Sequence, residues 1–217
     1  MLTLSFATGT EPDKWFHRYT ERTNHGGLKT SVNDDPLGQV LTGEAIVGLV
    51  RLPDARVDDQ LHQVKLYEEE LGIALPKEHT LSLLDFLSAA DLVDEIINYR
   101  ADTTGFIDPA EIRPHLQVVA ANVGTVIAPR PLLKALSGKQ IEHRKFVDPT
   151  AMPTTIALVW WKDNDSDAVQ DFVGIAKGRT PNSSRSSTTK KKPAQPAKTR
   201  KNQPVAQRPK QRRRRRR

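Results

Sequence analysis

The first 53 residues alternate strand-type and helix-type segments, and this alternation limits the possible folds more than any other feature. LTLSFAT (2–8), LKTSV (28–32) and AIVGLVRLP (45–53) have the apolar, β-branched character of strands. The segments between them, at 11–24 and 35–44, are typical of helices, and Thr10 is well placed to cap the first helix. Strands and helices in this order with short connections predict a parallel sheet that has helices on its faces.

The rest of the chain to residue 178 continues in the same style. HQVKLYEEELGIALPKEH (62–79) predicts two short strands around an acidic turn, and TLSLLDFLSAADLVDE (80–95) predicts a helix. INYR (97–100) predicts a strand. Further helices are expected at 108–122, 130–138 and 165–178, and further strands at 124–129, 143–148 and 154–162. The fold class is therefore α/β in both halves.

Charge divides the chain into two parts. The sequence has 33 Lys and Arg against 26 Asp and Glu, and residues 177–217 hold 17 of the basic residues and no acidic one. Residues 1–176 therefore keep 16 basic and all 26 acidic residues, a net charge of −10. Residues 177–217 have too little apolar surface to fold, so we predict a disordered basic tail.

The tail is the part of the chain that could bind nucleic acid. The residues predicted to contact phosphates are Lys190, Lys191, Lys192, Arg212, Arg213, Arg214, Arg215, Arg216 and Arg217. Such contacts are not sequence-specific. A folded nucleic-acid-binding domain normally carries a basic face, and the acidic residues 1–176 argue against one.

Enzyme and metal chemistry find little support in the sequence. Cysteine is absent, which excludes thiolate catalysis and cysteine-ligated metal. The six histidines lack metal-ligand spacing, and no nucleophile elbow, phosphate loop or dinucleotide motif is present. The EEE run at 68–70 is interpreted as a solvated edge or turn. We predict a non-enzymatic protein with no cofactor and no metal, and the lack of a signal peptide or membrane span favours a cytoplasmic location.

Four stretches in order carry a resemblance to a known family. They are FATGTEPDKWFHRY (6–19), GEAIVGLVRLP (43–53), KLYEEELGIALPKEHTLSLLDFLSAADLVDE (65–95) and ALVWWKDNDSDAVQDFVGIAKGRTPNSSR (157–185). Together they resemble the effector (substrate)-binding domain of LysR-type transcriptional regulators, in particular its actinobacterial subgroup. The likeness covers about residues 1–185.

The resemblance implies a fold and an organisation. The fold would be two-lobed, of the periplasmic-binding-protein type 2 class, with lobe one at 1–77 plus 150–176, lobe two at 78–149 and the tail at 177–217. It also implies a small-molecule sensor or interaction module with a role in transcription regulation, pairing as a homodimer. Because the sequence begins at the first strand of such a domain, we expect no helix-turn-helix.

The ligand site implied by the resemblance lies in the cleft between the lobes. Thr8, Gly9 and Thr10 would offer a helix N-terminus to a small organic anion, although an ordinary helix cap explains them equally well. Asn33 and Asp34 follow the second strand and would face the same cleft.

Further candidates follow the third strand and lie in lobe two. Arg51 and Pro53 are the candidates after strand three. Arg51 could hold an anion through two hydrogen bonds, and a surface ion pair with Asp34 or Asp54 is the alternative. The predicted positions in lobe two are Thr103, Gly124 and Thr125.

Two functions therefore compete at the sequence level. The first is a sensor of a small organic anion, and the second is a nucleic-acid-associated protein that binds through its tail. A secreted solute-binding protein would share the fold, but no export signal supports it.

Overall fold

The computed structural model describes residues 1–101 and 104–179, so Thr103 and the phosphate-contacting residues predicted in the tail lie outside the described residues. The strands are β1 (Leu2–Ala7), β2 (Leu28–Asn33), β3 (Val47–Leu52), β4 (Leu61–Glu68), β5 (Leu71–Pro76), β6 (Phe86–Ser88), β7 (Ile97–Arg100), β8 (Thr125–Pro129), β9 (Ile141–Val147) and β10 (Thr155–Trp161). The helices are α1 (Asp13–Arg22), α2 (Pro36–Leu41), α3 (Pro109–Ala120), α4 (Arg130–Leu136) and α5 (Asp167–Ala176).

The first sheet has the strand order β2-β1-β3-β10-β4. Strands β1, β2 and β3 are parallel, as the alternation of segments predicts. Strand β10 returns from the far end of the chain and pairs antiparallel with both β3 and β4. Every residue of β3 is buried, because the strand is central and both faces of the sheet are covered.

Helices cover the two faces of this sheet with separate apolar clusters. Helices α1 and α5 pack on one face, where Tyr19 and Phe172 lie against Leu158 and Trp160. Helix α2 covers the other face through Leu37 and Val40. Each fully buried side chain of this size contributes about 1.5–3 kcal/mol to folding, so the two clusters fix the sheet firmly.

The second sheet has the order β6-β9-β5-β8-β7. Strands β8 and β9 both run antiparallel to the central strand β5, and β7 runs parallel to β8. The carboxyl ends of β7, β8 and β9 therefore lie at the same edge of the sheet. Helices α3 and α4 bury one face, and two short 3-10 helices at Thr80–Leu83 and Ala89–Leu92 bury part of the other.

The prediction of a helix at 80–95 is wrong. The segment instead forms the two 3-10 helices with the short strand β6 between them. Strand β6 pairs parallel with β9, so Phe86 lies opposite Lys145 and Leu87 becomes fully buried. Pairing with a distant strand thus overrides the local helical pattern. Ser88 precedes the second 3-10 helix, and its backbone N–H and hydroxyl both donate to the carboxylate of Asp91.

The predicted lobe boundaries differ from the division of the strands between the two sheets at one strand. The strands of the first sheet fall within 1–68 and 155–161, and those of the second fall within 71–147. Strand β5, which the boundary at 77 places in lobe one, belongs to the second sheet.

Among the described residues, no helix has the length and apolar character needed to span a membrane.

Thr10 does not cap helix α1, contrary to the prediction. The helix begins at Asp13, with Pro12 in the capping position and no side-chain cap. The Thr10 hydroxyl instead donates to the backbone oxygen of Ala7, 2.7 Å away, and the residue is buried. Thr10 therefore closes the turn after β1, where its own N–H also bonds Ala7.

Removing that hydroxyl should cost a measurable amount of stability. Thr10→Val keeps the side-chain shape, so we expect the free energy of unfolding to fall by about 0.5–1.5 kcal/mol in urea titrations, the usual worth of one hydrogen bond. Thr20→Val is the matched control, because Thr20 makes a similar bond to Phe16 on an exposed helix face. No loss of stability in Thr10→Val would show that the turn does not depend on this hydroxyl, and a loss equal to that of Thr20→Val would show that burial adds nothing to the bond.

Candidate functional site

The two sheets are joined by two crossing segments, one around Glu69 and one around Thr154. The segments bond each other, since the Glu69 N–H donates to the Thr154 backbone oxygen at 2.9 Å. The Thr154 hydroxyl in turn donates to the Glu69 carboxylate at 2.9 Å. Both residues are buried. The crossing point is therefore a hydrogen-bonded unit and not a solvated linker.

Arg51 completes this unit. Its Nε and one terminal nitrogen donate to the two carboxylate oxygens of Glu69, at 2.6 and 3.0 Å. The same terminal nitrogen also reaches the backbone oxygen of Thr8 at 3.2 Å. The two paired side chains are only 6% and 1% exposed. The alternative of a surface pair with Asp34 or Asp54 is therefore wrong, and so is the solvated-turn interpretation of Glu69.

A cavity of about 640 Å³ lies beside the crossing point, and we call it the central cavity. It is lined by Glu69, Leu71 and residues 150–154 of the crossing segments, by the carboxyl ends of β7, β8 and β9, and by Gly105 and Ile107. In α/β sheets, ligands bind outside the carboxyl ends of strands, and most ligand cavities measure ~300–1,000 Å³. The central cavity meets both criteria.

The walls of the central cavity are largely apolar. Leu71, Ile127, Phe146 and Met152 contribute hydrophobic side chains. The polar part of the wall includes an ion pair between Arg100, the last residue of β7, and Asp148, which follows β9. An apolar chamber with few polar groups is typical of small-molecule sites.

Asp148 is held firmly in its ionised form. The hydroxyl of Thr150 donates to Asp148 at 2.7 Å and the Thr150 backbone N–H donates at 2.9 Å. These bonds, together with the charge of Arg100, hold the pKa of Asp148 below its usual value, although burial opposes the shift. Its side chain is 6% exposed, whereas that of Arg100 is 42% exposed. Arg100 is thus the more accessible partner.

Thr8 and Asp34, both predicted in the cleft, do come together. The Thr8 hydroxyl donates to Asp34 at 2.6 Å, and Arg113 of α3 donates to the other carboxylate oxygen at 2.5 Å. Burial works against ionisation of Asp34, but these bonds outweigh it and hold its pKa below the usual value. The loops after β1 and β2 are thereby tied to a helix that packs on the second sheet.

Gly9 lies where the first β-α loop meets helix α4. Its φ of +90° is left-handed, and a Cβ at this position would stand 2.8 Å from the Leu132 Cα, so only glycine fits without a shift. Gly9 also borders an open groove of about 720 Å³ with Trp15, Tyr67 and Arg130. Several side chains of this groove are largely exposed, with Glu11 at 84%. The groove encloses a ligand less well than the central cavity does.

The other predicted site residues lie elsewhere. The Asn33 side chain accepts from the Asp35 N–H, and Pro53 lies near Gly105 after a cis peptide bond. Gly124 and Thr125 are at the start of β8, whereas Ile127 and Pro129 further along the strand line the central cavity. None of the described residues predicted to bind ligand lines that cavity, and their binding role stays a prediction.

Arg100 and Asp148 were missed because INYR and HRKFVD predict only strands. A signal was nevertheless present, since each residue lies at the end of its strand, where the loops of an α/β sheet collect ligands. In the part of the chain that the structure describes, no group of three or more His, Asp or Glu could hold a metal ion. The features of the central cavity that a ligand could contact are therefore its apolar walls and its ion pair.

Comparison with known proteins agrees with this geometry. The family model described as the LysR substrate binding domain matches residues 14–181. Among solved structures, the effector-binding domain of BenM with its effector benzoate is similar with a TM-score of 0.59 at 16% identity, covering 81% of this chain and 90% of that one. The effector-binding domain of QuiR in complex with shikimate gives 0.57 at 14% identity, covering 81% and 94%. Among the curated proteins, none matches the sequence.

The likeness to a full-length regulator is partial. A full-length BenM variant gives a TM-score of 0.60 at 15% identity, and the match covers 81% of this chain but 65% of that protein. At such identities the solved structures establish the fold, which is the two-sheet α/β architecture of LysR effector-binding domains. The family model spans most of residues 1–179, and it shows that the chain belongs to the LysR substrate-binding domain family.

Proposed function

We propose that this protein is a non-enzymatic sensor that binds a small organic molecule in the central cavity and has a role in transcription regulation. The observation that carries the proposal is the cavity itself, which both crossing segments and three strand ends border. A ligand there would contact both connections between the sheets. Its binding energy could therefore change how the two sheets are held together.

A small organic acid is the ligand class that we favour. The related domains of BenM and QuiR have been solved with benzoate and with shikimate, both of which carry a carboxylate. The central cavity offers an apolar wall for a carbon skeleton and a guanidinium at Arg100 for the charged group. The volume of about 640 Å³ accommodates molecules of this size or larger.

Ligand binding should raise the melting temperature of the full chain. We would screen benzoate, shikimate and related carboxylic acids by thermal shift, each beside its neutral amide. A ligand at a hundred times its Kd stabilises the folded state by about 2.7 kcal/mol, which corresponds to roughly 5–10 °C for a domain of this size. Absence of any stabilising compound among acids and amides would contradict the proposal.

A variant with a large side chain in the central cavity tests whether the ligand binds there. Ala151→Trp places a large side chain in the lining of the central cavity, so it should abolish the thermal shift. Ala135→Trp is the matched control, because Ala135 is exposed on α4 and borders neither the central cavity nor the open groove. Equal thermal shifts in the two variants would place the ligand outside the central cavity.

A second candidate function is non-specific binding of nucleic acid through residues 177–217. The supporting observation is the segregation of charge, with 17 basic and no acidic residues in that segment. The two functions are compatible, because the tail and the central cavity involve different residues. The homodimer implied by the family resemblance stays a prediction.

A further inference from the structure

We propose that Arg100 recognises the charged group of an anionic ligand in the central cavity and that Asp148 competes with the ligand for Arg100. This inference rests on the proposed function and names the residues that select the ligand class. It assigns the recognition to the second sheet and not to the helix N-terminus at residues 8–10.

The first argument is the distribution of charge in the cavity. Among the described residues that line it, Arg100 is the one Lys, Arg or His, whereas Glu69 and Asp148 are acidic. An anion that enters the cavity can therefore find a full positive charge on the described wall only at Arg100. The side chain is 42% exposed, so a ligand can reach it.

The second argument excludes Arg51 as the residue that binds the anion. Arg51 lies behind Glu69 and directs Nε and a terminal nitrogen at that carboxylate. Its side chain is 6% exposed, and it is not part of the cavity lining. A ligand could use Arg51 only by displacing a buried carboxylate, which would leave Glu69 without its counter-charge.

The third argument concerns the ion pair itself. Asp148 keeps its place through the hydroxyl and N–H of Thr150, and these bonds do not involve Arg100. Arg100 can therefore turn toward a ligand while Asp148 stays ordered. Part of the attraction between Arg100 and a ligand anion is then offset by the attraction to Asp148 that it loses. Asp148 thus lowers the affinity for every anion that pairs with Arg100.

The apolar wall sets the rest of the ligand class. Leu71, Ile127 and Phe146 line the same chamber as Arg100. A carboxylate attached to an apolar or aromatic body would contact both parts, whereas a small inorganic anion would contact only the guanidinium. We therefore infer an apolar organic acid.

Two substitutions should act in opposite directions. Titration calorimetry on the full chain would use benzoate and phenylacetate, with benzamide and phenylacetamide as neutral analogues. Arg100→Met should weaken binding of the acids about ten- to a hundredfold, the range for loss of a charged hydrogen bond, and leave the amides unchanged. Asp148→Asn should strengthen binding of the acids several-fold, because the competing charge is removed and the side-chain shape is kept.

The outcomes separate this inference from the proposed function. The inference is overturned if the acids bind no better than their amides in both the unchanged protein and Asp148→Asn. Binding of the amides would in that case still support a small-molecule site. Weaker acid binding in Asp148→Asn, with the fold intact by circular dichroism, would also overturn it. If neither acids nor amides bind any variant, the proposed function fails and this inference fails with it.

Discussion

Arg51→Met is expected to lower the free energy of unfolding by about 3–5 kcal/mol, because it leaves the carboxylate of Glu69 buried without its partner. The Glu69 side chain is 1% exposed and accepts two hydrogen bonds from the Arg51 guanidinium. The Thr154 hydroxyl alone cannot balance the charge. Urea titration followed by tryptophan fluorescence would measure the loss, since Trp15, Trp160 and Trp161 all belong to the layers of the first sheet.

Two further variants test the cause of that loss. Arg51→Met combined with Glu69→Leu removes both charges, and we expect it to recover most of the stability. Arg56→Met is the matched control, because the Arg56 side chain is 42% exposed where it pairs with Asp35 and the more buried Asp54, so water screens its charge and we expect a smaller loss. Equal losses in the Arg51 and Arg56 variants would show that burial of the Arg51 pair does not determine stability.

The Arg51 result bears on how the two sheets are connected. Glu69 and Thr154 belong to the two crossing segments, and Arg51 ties them to β3 and to the Thr8 backbone oxygen. The network joins residues from four parts of the sequence at the point where the chain crosses between the sheets. Glu69 also lines the central cavity, so a ligand would lie directly against this network.

The fold could be predicted well where its signals are local. The order of β1, α1, β2, α2 and β3 follows from the apolar patterns of the segments, although the cap predicted at Thr10 does not form. The antiparallel pairing of β10 between β3 and β4 could not be derived from spacing, because β10 is more than 80 residues away from both along the chain. The helix predicted at 80–95 failed for the same reason, since β9 supplies the hydrogen bonds that make Phe86–Ser88 a strand.

The candidate site was harder to predict than the fold. The EEE run contains three identical side chains, yet Glu69 is buried and Glu70 lies on the surface with Arg130 and Lys145. Which of them faces inward depends on where the chain crosses between the sheets, and sequence pattern does not give that. Arg100 and Asp148 are 48 positions apart, so their pairing follows only from the adjacent positions of the strand ends.

The charge of the terminal arginines leads to a prediction about nucleic acid. Six arginines that contact six phosphates would give a slope of about −4 on single strands and about −5 on duplex DNA when the logarithm of the binding constant is plotted against that of the salt concentration. Affinity would then fall by a few hundredfold to about a thousandfold between 50 and 200 mM salt. Fluorescence anisotropy with two unrelated DNA duplexes should give equal affinities, because phosphate contacts carry no sequence information.

Substitutions within the tail separate charge from other contributions. Replacing Arg212 to Arg217 with glutamine should remove most of the binding and most of the salt slope, since the counterions that the arginines displace are no longer released. Replacing the same six residues with lysine is the matched control, and it should keep the slope because the charge is unchanged. Residues 1–176 carry a net charge of −10 and oppose binding of a polyanion. Undiminished binding in the glutamine variant would therefore place the nucleic-acid contacts outside the arginine run, with the other basic residues of 177–217 as the next candidates to test.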